Sequence, residues 1–217
     1  MPIDPHEPIV EGEKNNEGAT GGSLEEVIAP IASRKESNLS LFVYTIVAIG
    51  IALFVRFFIA APYLVSGPSM EDTFYNHDYL IIDRLTYRLS TPERGDVVVF
   101  SLPQKNGETL IKRIIGLPGD TVTVSDSGVT IANAANPKGF KLTEPYLSPD
   151  NLGGLAGMTV TLGPDHYYVM GDNRRVSFDS RSWGALSGDN IVGRVIVRLY
   201  PFSDVGILPG EARYSSS

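Results

Sequence analysis

Leu110-Ile-Lys-Arg-Ile-Ile-Gly-Leu-Pro-Gly-Asp-Thr-Val-Thr-Val-Ser125 reads as strand, turn, strand. Two β-branched runs flank Gly116-Leu-Pro-Gly-Asp120, where glycine supplies positive φ and proline presets φ for a turn. Similar runs lie upstream: Tyr79-Leu-Ile-Ile-Asp-Arg-Leu-Thr-Tyr87, then Asp96-Val-Val-Val-Phe-Ser101 after the turn Pro92-Glu-Arg-Gly95. Downstream, residues 121–165 repeat the pattern more weakly, with many Gly, Asn and Pro, and read as a small β insertion. Strong strand signal returns at Tyr167-Tyr-Val-Met170 and Asn190-Ile-Val-Gly-Arg-Val-Ile-Val-Arg-Leu-Tyr200. With no convincing amphipathic helix among them, these runs predict a mainly β domain, antiparallel or barrel-like.

Lys112 stands inside the first of these strands. A lysine is normally charged at neutral pH and useless as a base. Apolar neighbours would disfavour its ammonium form, and the adjacent positive charge of Arg113 would add to the effect. A serine within reach could then lose its proton to Lys112, with no histidine required. A lysine pointing outward from a strand is the plainer alternative.

The serine comes from Tyr63-Leu-Val-Ser-Gly-Pro-Ser-Met-Glu-Asp-Thr-Phe74, which places Ser69 on a Gly-Pro turn just after a long apolar run. Alone, a serine in a turn is more often a cap or loop residue. A third stretch, Met170-Gly-Asp-Asn-Arg-Arg-Val-Ser-Phe-Asp-Ser-Arg-Ser-Trp-Gly184, packs polar and charged residues between two strands. There Asp179 can pair with Arg181 or Arg174, Asp172 can cap a turn, and Ser177 can orient a neutral lysine.

From Leu39 to Val65 the only charge is Arg56, and the apolar run reaches the roughly 20 residues that a membrane-spanning helix needs. Arg56 near one end can snorkel to the headgroups. The run exceeds a signal-peptide core, follows a long polar leader, and has Pro62 after its only small-residue pair, so an uncleaved anchor is expected. Arg34 and Lys35 precede the span, and no Lys or Arg follows Arg56 until Arg84. The positive-inside rule then puts the N-terminus in the cytoplasm. The expected organisation is a disordered cytoplasmic leader over residues 1–37, a signal-anchor helix over 38–62, and an extracytoplasmic domain over 63–217. Within the leader, Ser23-Leu-Glu-Glu26 has the form of a capping box.

Composition removes other chemistries. The 217 residues carry a net charge of −7, against a nucleic-acid binder. Zero cysteines exclude Cys nucleophiles, Cys-ligated zinc, iron–sulfur clusters and disulfides. Of the three histidines, His77 and His166 sit in turn-like contexts with no motif around them, so neither a His metal site nor a His triad is expected.

Together the residues resemble the bacterial type I signal peptidases, with the motifs in that family's order from about residue 40 to 200. They are the anchor, Ser66-Gly-Pro-Ser-Met70, Asp78-Tyr-Leu-Ile-Ile-Asp-Arg84, Arg94-Gly-Asp-Val-Val-Val-Phe100, Ile111-Lys-Arg-Ile-Ile-Gly-Leu-Pro-Gly-Asp120, Gly171-Asp-Asn-Arg174 and Asp179-Ser-Arg181. The resemblance implies a β catalytic core with a β insertion behind one transmembrane helix. It also implies a membrane-anchored serine endopeptidase that removes signal peptides after small residues at −1 and −3. Ser69 matches the nucleophile, Lys112 the general base, Ser177 the hydroxyl that positions the lysine, Asp179 and Arg181 a supporting salt bridge, and Arg113 a residue flanking the base. The Ser69 N–H would stabilise the oxyanion. At the position of a second donor in some members stands Gly67, so that donor is a backbone N–H or absent. Val65, Met70, Phe74, Val99, Leu110 and Ile111 match positions that shape shallow apolar substrate pockets, and substrate would bind as an added strand. No metal or cofactor is implied; the partners implied are signal peptides and a lipid bilayer. The alternatives are a dedicated single-substrate Ser-Lys protease and an inactive tethered β domain. Two departures fall in the loop after Ser69: Asp72 where the family usually has Pro, and His77 where it usually has Gly.

Overall fold

The computed structural model describes residues 38–102, 107–151 and 157–214. The expected leader and its capping box lie outside them. Helix α1, Asn38–Phe54, continues into a π-helical turn, Val55–Ile59. Leu39–Ile59 is a 21-residue helical stretch, long and apolar enough to cross a membrane. It ends three residues before the expected boundary. Pro62 disfavours helix at Ala61, and Ala60, Ala61 and Pro62 pair with Asp83, Ile82 and Ile81 as the start of strand β1, Ala60–Leu64. This is an edge strand, where a proline without an N–H is tolerated. The chain divides into two compact units within α1, Met1–Thr45 and Ile46–Ser217, and every described strand belongs to the second.

Strand β2 covers Tyr79–Asp83. The run read as strand to Tyr87 breaks there because the Asp83 carboxylate accepts the N–H groups of Leu85 at 2.7 Å and Thr86 at 3.1 Å. That local turn leads the chain into the one-turn helix α2, Thr86–Leu89. Then follow β3, Val97–Leu102, β4, Glu108–Gly116, β5, Thr121–Ser125, β6, Gly128–Ala132, and β7, Phe140–Lys141. After them come β8, Met158–Thr161, β9, His166–Met170, the short helix α3, Ser180–Trp183, β10, Leu186–Ser187, β11, Ile191–Tyr200, and β12, Gly206–Ile207.

The larger sheet has the order β1-β2-β11-β3-β4-β9-β10, with β12 on β11, and its pairings are antiparallel. The smaller sheet, β7-β6-β5-β8, is the expected insertion, spanning Thr121 to Thr161. Leu117-Pro-Gly-Asp120 leads into it, with Asp120 accepting the Leu117 N–H at 2.6 Å. Gly116 sits where the two sheets meet: a Cβ there would lie 2.5 Å from Val122 Cγ2 and 2.7 Å from Leu162 Cδ1. One apolar cluster, Val65, Met70, Phe74, Leu80, Ile82, Val97, Val99, Ile111 and Val195, underlies the loop between β1 and β2. A second joins the small sheet to Tyr168 and Met170, and a third holds Val98, Phe100, Ile114 and Val169. His166, read as a turn residue, opens β9 opposite Ser187.

Candidate active site

Ser69 is set by a turn anchored from below. Gly67, at φ +89°, reverses the chain ahead of Pro68, a backbone angle that an L side chain resists. Glu71 N–H then bonds Pro68 O at 3.1 Å, and Phe74 N–H bonds Met70 O at 2.7 Å. Met70 and Phe74 are fully buried in the first cluster, which leaves Ser69 half-buried at the rim.

Lys112 reaches this serine from β4, where its Cα faces Val98 of β3. Its Nζ donates to Ser69 Oγ at 2.7 Å and to Ile111 O at 2.8 Å. The side chain is only 2% exposed. Burial pulls its pKa down to about 8, against the opposing pull of the Asp179, Asp172 and Glu108 carboxylates. The neighbouring charge of Arg113, expected to help, takes no part. That guanidinium is neutralised by Asp172, with Nε–Oδ1 at 2.9 Å and Nη2–Oδ2 at 2.6 Å.

The segment after β9 closes the site from the other side. Asn173 N–H donates to Ser69 O at 3.1 Å. Gly171 is wedged behind the nucleophile: a Cβ there would lie 2.3 Å from Ser69 O and 2.2 Å from Ser177 Oγ. Only glycine fits. Asp179 accepts the Gly171 N–H at 3.0 Å and grips Arg181 with Nε–Oδ1 and Nη2–Oδ2 both 2.8 Å, so the expected salt bridge is formed and holds the turn. Ser177 is brought close, but its expected bond to Lys112 is not made. Its Oγ is buried without a hydrogen-bond partner among the described residues, while the Lys112 Nζ bonds go to Ser69 and Ile111.

Val65, Met70, Phe74, Val99 and Ile111 share the cluster beneath the dyad, none more than 5% exposed. They form the floor of the site. Leu110 is separated from them, packing half-buried against the third cluster, because successive residues of a strand face opposite ways. Gly67 N–H donates to Asn76 Oδ1 at 3.1 Å, so it is engaged elsewhere and is not a ready second oxyanion donor. His77 lies in the loop with its ring against the Asn76 side chain, and His166 contacts Pro164 O, so neither partners Ser69.

Both sequence departures occupy the left-handed region, Asp72 at φ +85° and His77 at +72°. For His77 this accounts for the glycine usual there. Sequence reading missed a second tier of partners. Asp172, read as a turn cap, is the counter-ion of Arg113 and accepts Thr73 Oγ1–H at 2.5 Å. Glu144 pairs with Arg174 in the interior, and Asn151 links Asp72 to the Asp172 carbonyl. The Gly171-Asp-Asn-Arg174 motif pointed toward Asp172, whereas nothing in the local pattern marked Glu144 or Asn151.

A hydroxyl hydrogen-bonded to a buried, neutralisable amine, with no histidine beside it, is the arrangement of a lysine-assisted serine hydrolase. Comparison with known proteins gives the family. Residues 38–200 match the family described as signal peptidase, peptidase S26. The chain is 36% identical over 203 residues to a probable signal peptidase I-2 of Synechocystis, covering 87% of each chain. It is 36% identical over 185 residues to signal peptidase I S of Bacillus subtilis, covering 80% of this chain and 95% of that one. The crystal structure of a signal peptidase I from Enterococcus faecalis matches at 30% identity and a TM-score of 0.40, covering 48% of this chain and 97% of that one. The chain belongs to the peptidase S26 family of signal peptidases, which are serine endopeptidases.

Proposed function

We propose that this signal peptidase cleaves the signal peptides of exported preproteins with Ser69 as nucleophile and Lys112 as general base. The observation that carries the assignment is the 2.7 Å contact between Ser69 Oγ and the Nζ of a lysine whose burial brings its pKa to about 8. In its neutral form the amine takes the Oγ proton as oxygen attacks the scissile carbonyl, then gives that proton to the departing amine. A water molecule, deprotonated by the same lysine, releases the acyl group from Ser69. The Ser69 N–H, on a turn held by Met70 and Phe74, would meet the developing oxyanion. The unpaired Ser177 hydroxyl is the group we assign to steady the lysine once it leaves its ground-state bonds. A buried hydroxyl left unmatched costs about 1–3 kcal/mol.

The buried floor under Ser69 supports a preference for small residues at −1 and −3, since a shallow apolar surface receives a methyl group and leaves no depth for a longer chain. Leu39–Ile59 would hold the enzyme in the plane of the plasma membrane, raising the effective concentration of signal peptides there. In this reading residues 1–37 are cytoplasmic and the domain from residue 63 onward is extracytoplasmic, following the charge bias around the span.

The test is cleavage, in detergent, of a preprotein carrying an Ala-X-Ala site by the wild-type chain, Ser69→Ala and Lys112→Ala. Cutting after the second Ala by the wild type alone supports reaction, specificity and both roles together. Wild-type-like cutting by either variant would sink the dyad.

A further inference from the structure

Asp72 lies three positions past Ser69, and its surroundings form a closed ring. Its Oδ2 accepts the Ser148 N–H at 3.1 Å and Asn151 Nδ2–H at 3.0 Å. Asn151 is nearly buried, with 8% exposure, and its amide is fully engaged. It also donates to Asp172 O at 2.6 Å and accepts the Arg174 N–H at 2.9 Å. The segment from Asp172 to Arg174 returns to the nucleophile through Asn173 N–H, which bonds Ser69 O. Asn173 Nδ2 also reaches Glu71 Oε2 at 3.3 Å. The nucleophile turn is thus gripped at one end by residues 171–174 and at the other by Ser148 and Asn151, in the connection between β7 and β8. Asn151 is the rivet between them.

The geometry points to Asp72 as a positioning residue that clamps the nucleophile turn to Asn151 and so keeps Ser69 in register with Lys112. This rests on the dyad reading and gives the departure from proline a function. At φ +85° the backbone of residue 72 is closed to proline, whose ring fixes φ near −65°. Aspartate is among the few side chains that visit the left-handed region. The Asn151 bond holds its carboxyl below the usual range, so at neutral pH the clamp is a charge-assisted pair. A turn that drifts by an ångström carries the nucleophile with it, and misplacement on that scale costs roughly 10²-fold in rate.

Three variants of the full chain separate backbone from side chain. Asp72→Gly keeps the backbone angle and deletes the acceptor. It should lower kcat about tenfold, with KM and the melting temperature little changed. Asp72→Asn keeps an acceptor oxygen and should stay within about threefold of the wild type. Asp72→Pro, the residue usual in the family, should be the poorest of the three, with kcat down roughly 100-fold or more. Amide exchange over residues 69–75 gives a readout independent of catalysis: it should quicken in Asp72→Gly and not in Asp72→Asn. A wild-type chain that cleaves nothing would count against the dyad, while the exchange data would still decide the clamp. Wild-type kcat or unchanged exchange in Asp72→Gly overturns the clamp. So does a loss confined to KM, or an Asn variant no better than the Gly one.

Discussion

Lys112 and Arg113 are neighbours on β4, both long, both basic and both out of reach of water, at 2% and 0% exposure. Their fates are opposite. Arg113 meets a full set of acceptors: both oxygens of Asp172, the carbonyls of Gly95 and Gly210, and Thr73 Oγ1, with the Tyr146 ring 3.9 Å from its guanidinium carbon. Its charge is retained and becomes part of the frame behind the nucleophile turn. Lys112 meets one hydroxyl and one carbonyl and, among the described residues, no carboxylate in contact, so burial outweighs the more distant pull of Asp179, Asp172 and Glu108. Burial alone therefore does not say whether a cation is structural or catalytic. The partner set decides, and β4 delivers one outcome on each side of the strand.

Lys112→Arg puts a permanent charge where a neutral amine is needed, since guanidinium is not deprotonated in proteins. Preprotein cleavage should fall by roughly 10³-fold or more. More than a few per cent of residual activity would mean that something other than Lys112 takes the proton. Arg113→Met strands the Asp172 carboxylate without its counter-ion. Denaturant unfolding should show a loss of roughly 3–5 kcal/mol, a large part of it recovered in the double variant Arg113→Met, Asp172→Asn. A loss no larger than that of a surface substitution would make the pair incidental.

Lys112→Met should act in the reverse direction: inactive, yet more stable at pH 7. The folded chain releases this proton near pH 8 and the unfolded chain near the ordinary 10.5. The wild type therefore carries a destabilisation of roughly 3 kcal/mol that is whole below pH 8, shrinks as the pH rises, and is gone above 10.5. Unfolding of both proteins across that window should converge from below, and parallel curves would contradict the neutralised-lysine account. The smallest effect is on the wild type itself. Its kcat/KM should rise about tenfold per pH unit below the lysine pKa and level off above about 8. A flat profile from pH 6 to 10 would remove the base.

The sites where sequence reading fell short share a cause. The apolar character of Ala60-Ala-Pro62 extends the predicted helix through them, while pairing with β2 makes them strand. The strand predicted through Tyr87 ends at Asp83 because its carboxylate binds the N–H groups that follow, a local device that an apolar run conceals. The family pattern pairs Leu110 with Ile111 as pocket lining, although strand alternation sends the two to different clusters. The bond assigned to Ser177 depends on a rotamer and on competition for one amine, neither of which a motif encodes.

What the chain order alone determined is local or marked by motif: alternating runs and Gly-Pro turns that make strands, an uncharged stretch long enough for a bilayer, and Ser69 and Lys112 in recognisable surroundings. Their physics operates within a few residues, so it is written contiguously. The tertiary structure alone decided how that chemistry is held. It paired Arg113 with Asp172 across 59 positions, Arg174 with Glu144 across 30, and Asp72 with Asn151 across 79. Each pair is chosen by burial, because a polar group removed from water must take whichever partner the folded chain presents. That partner need not be near in sequence.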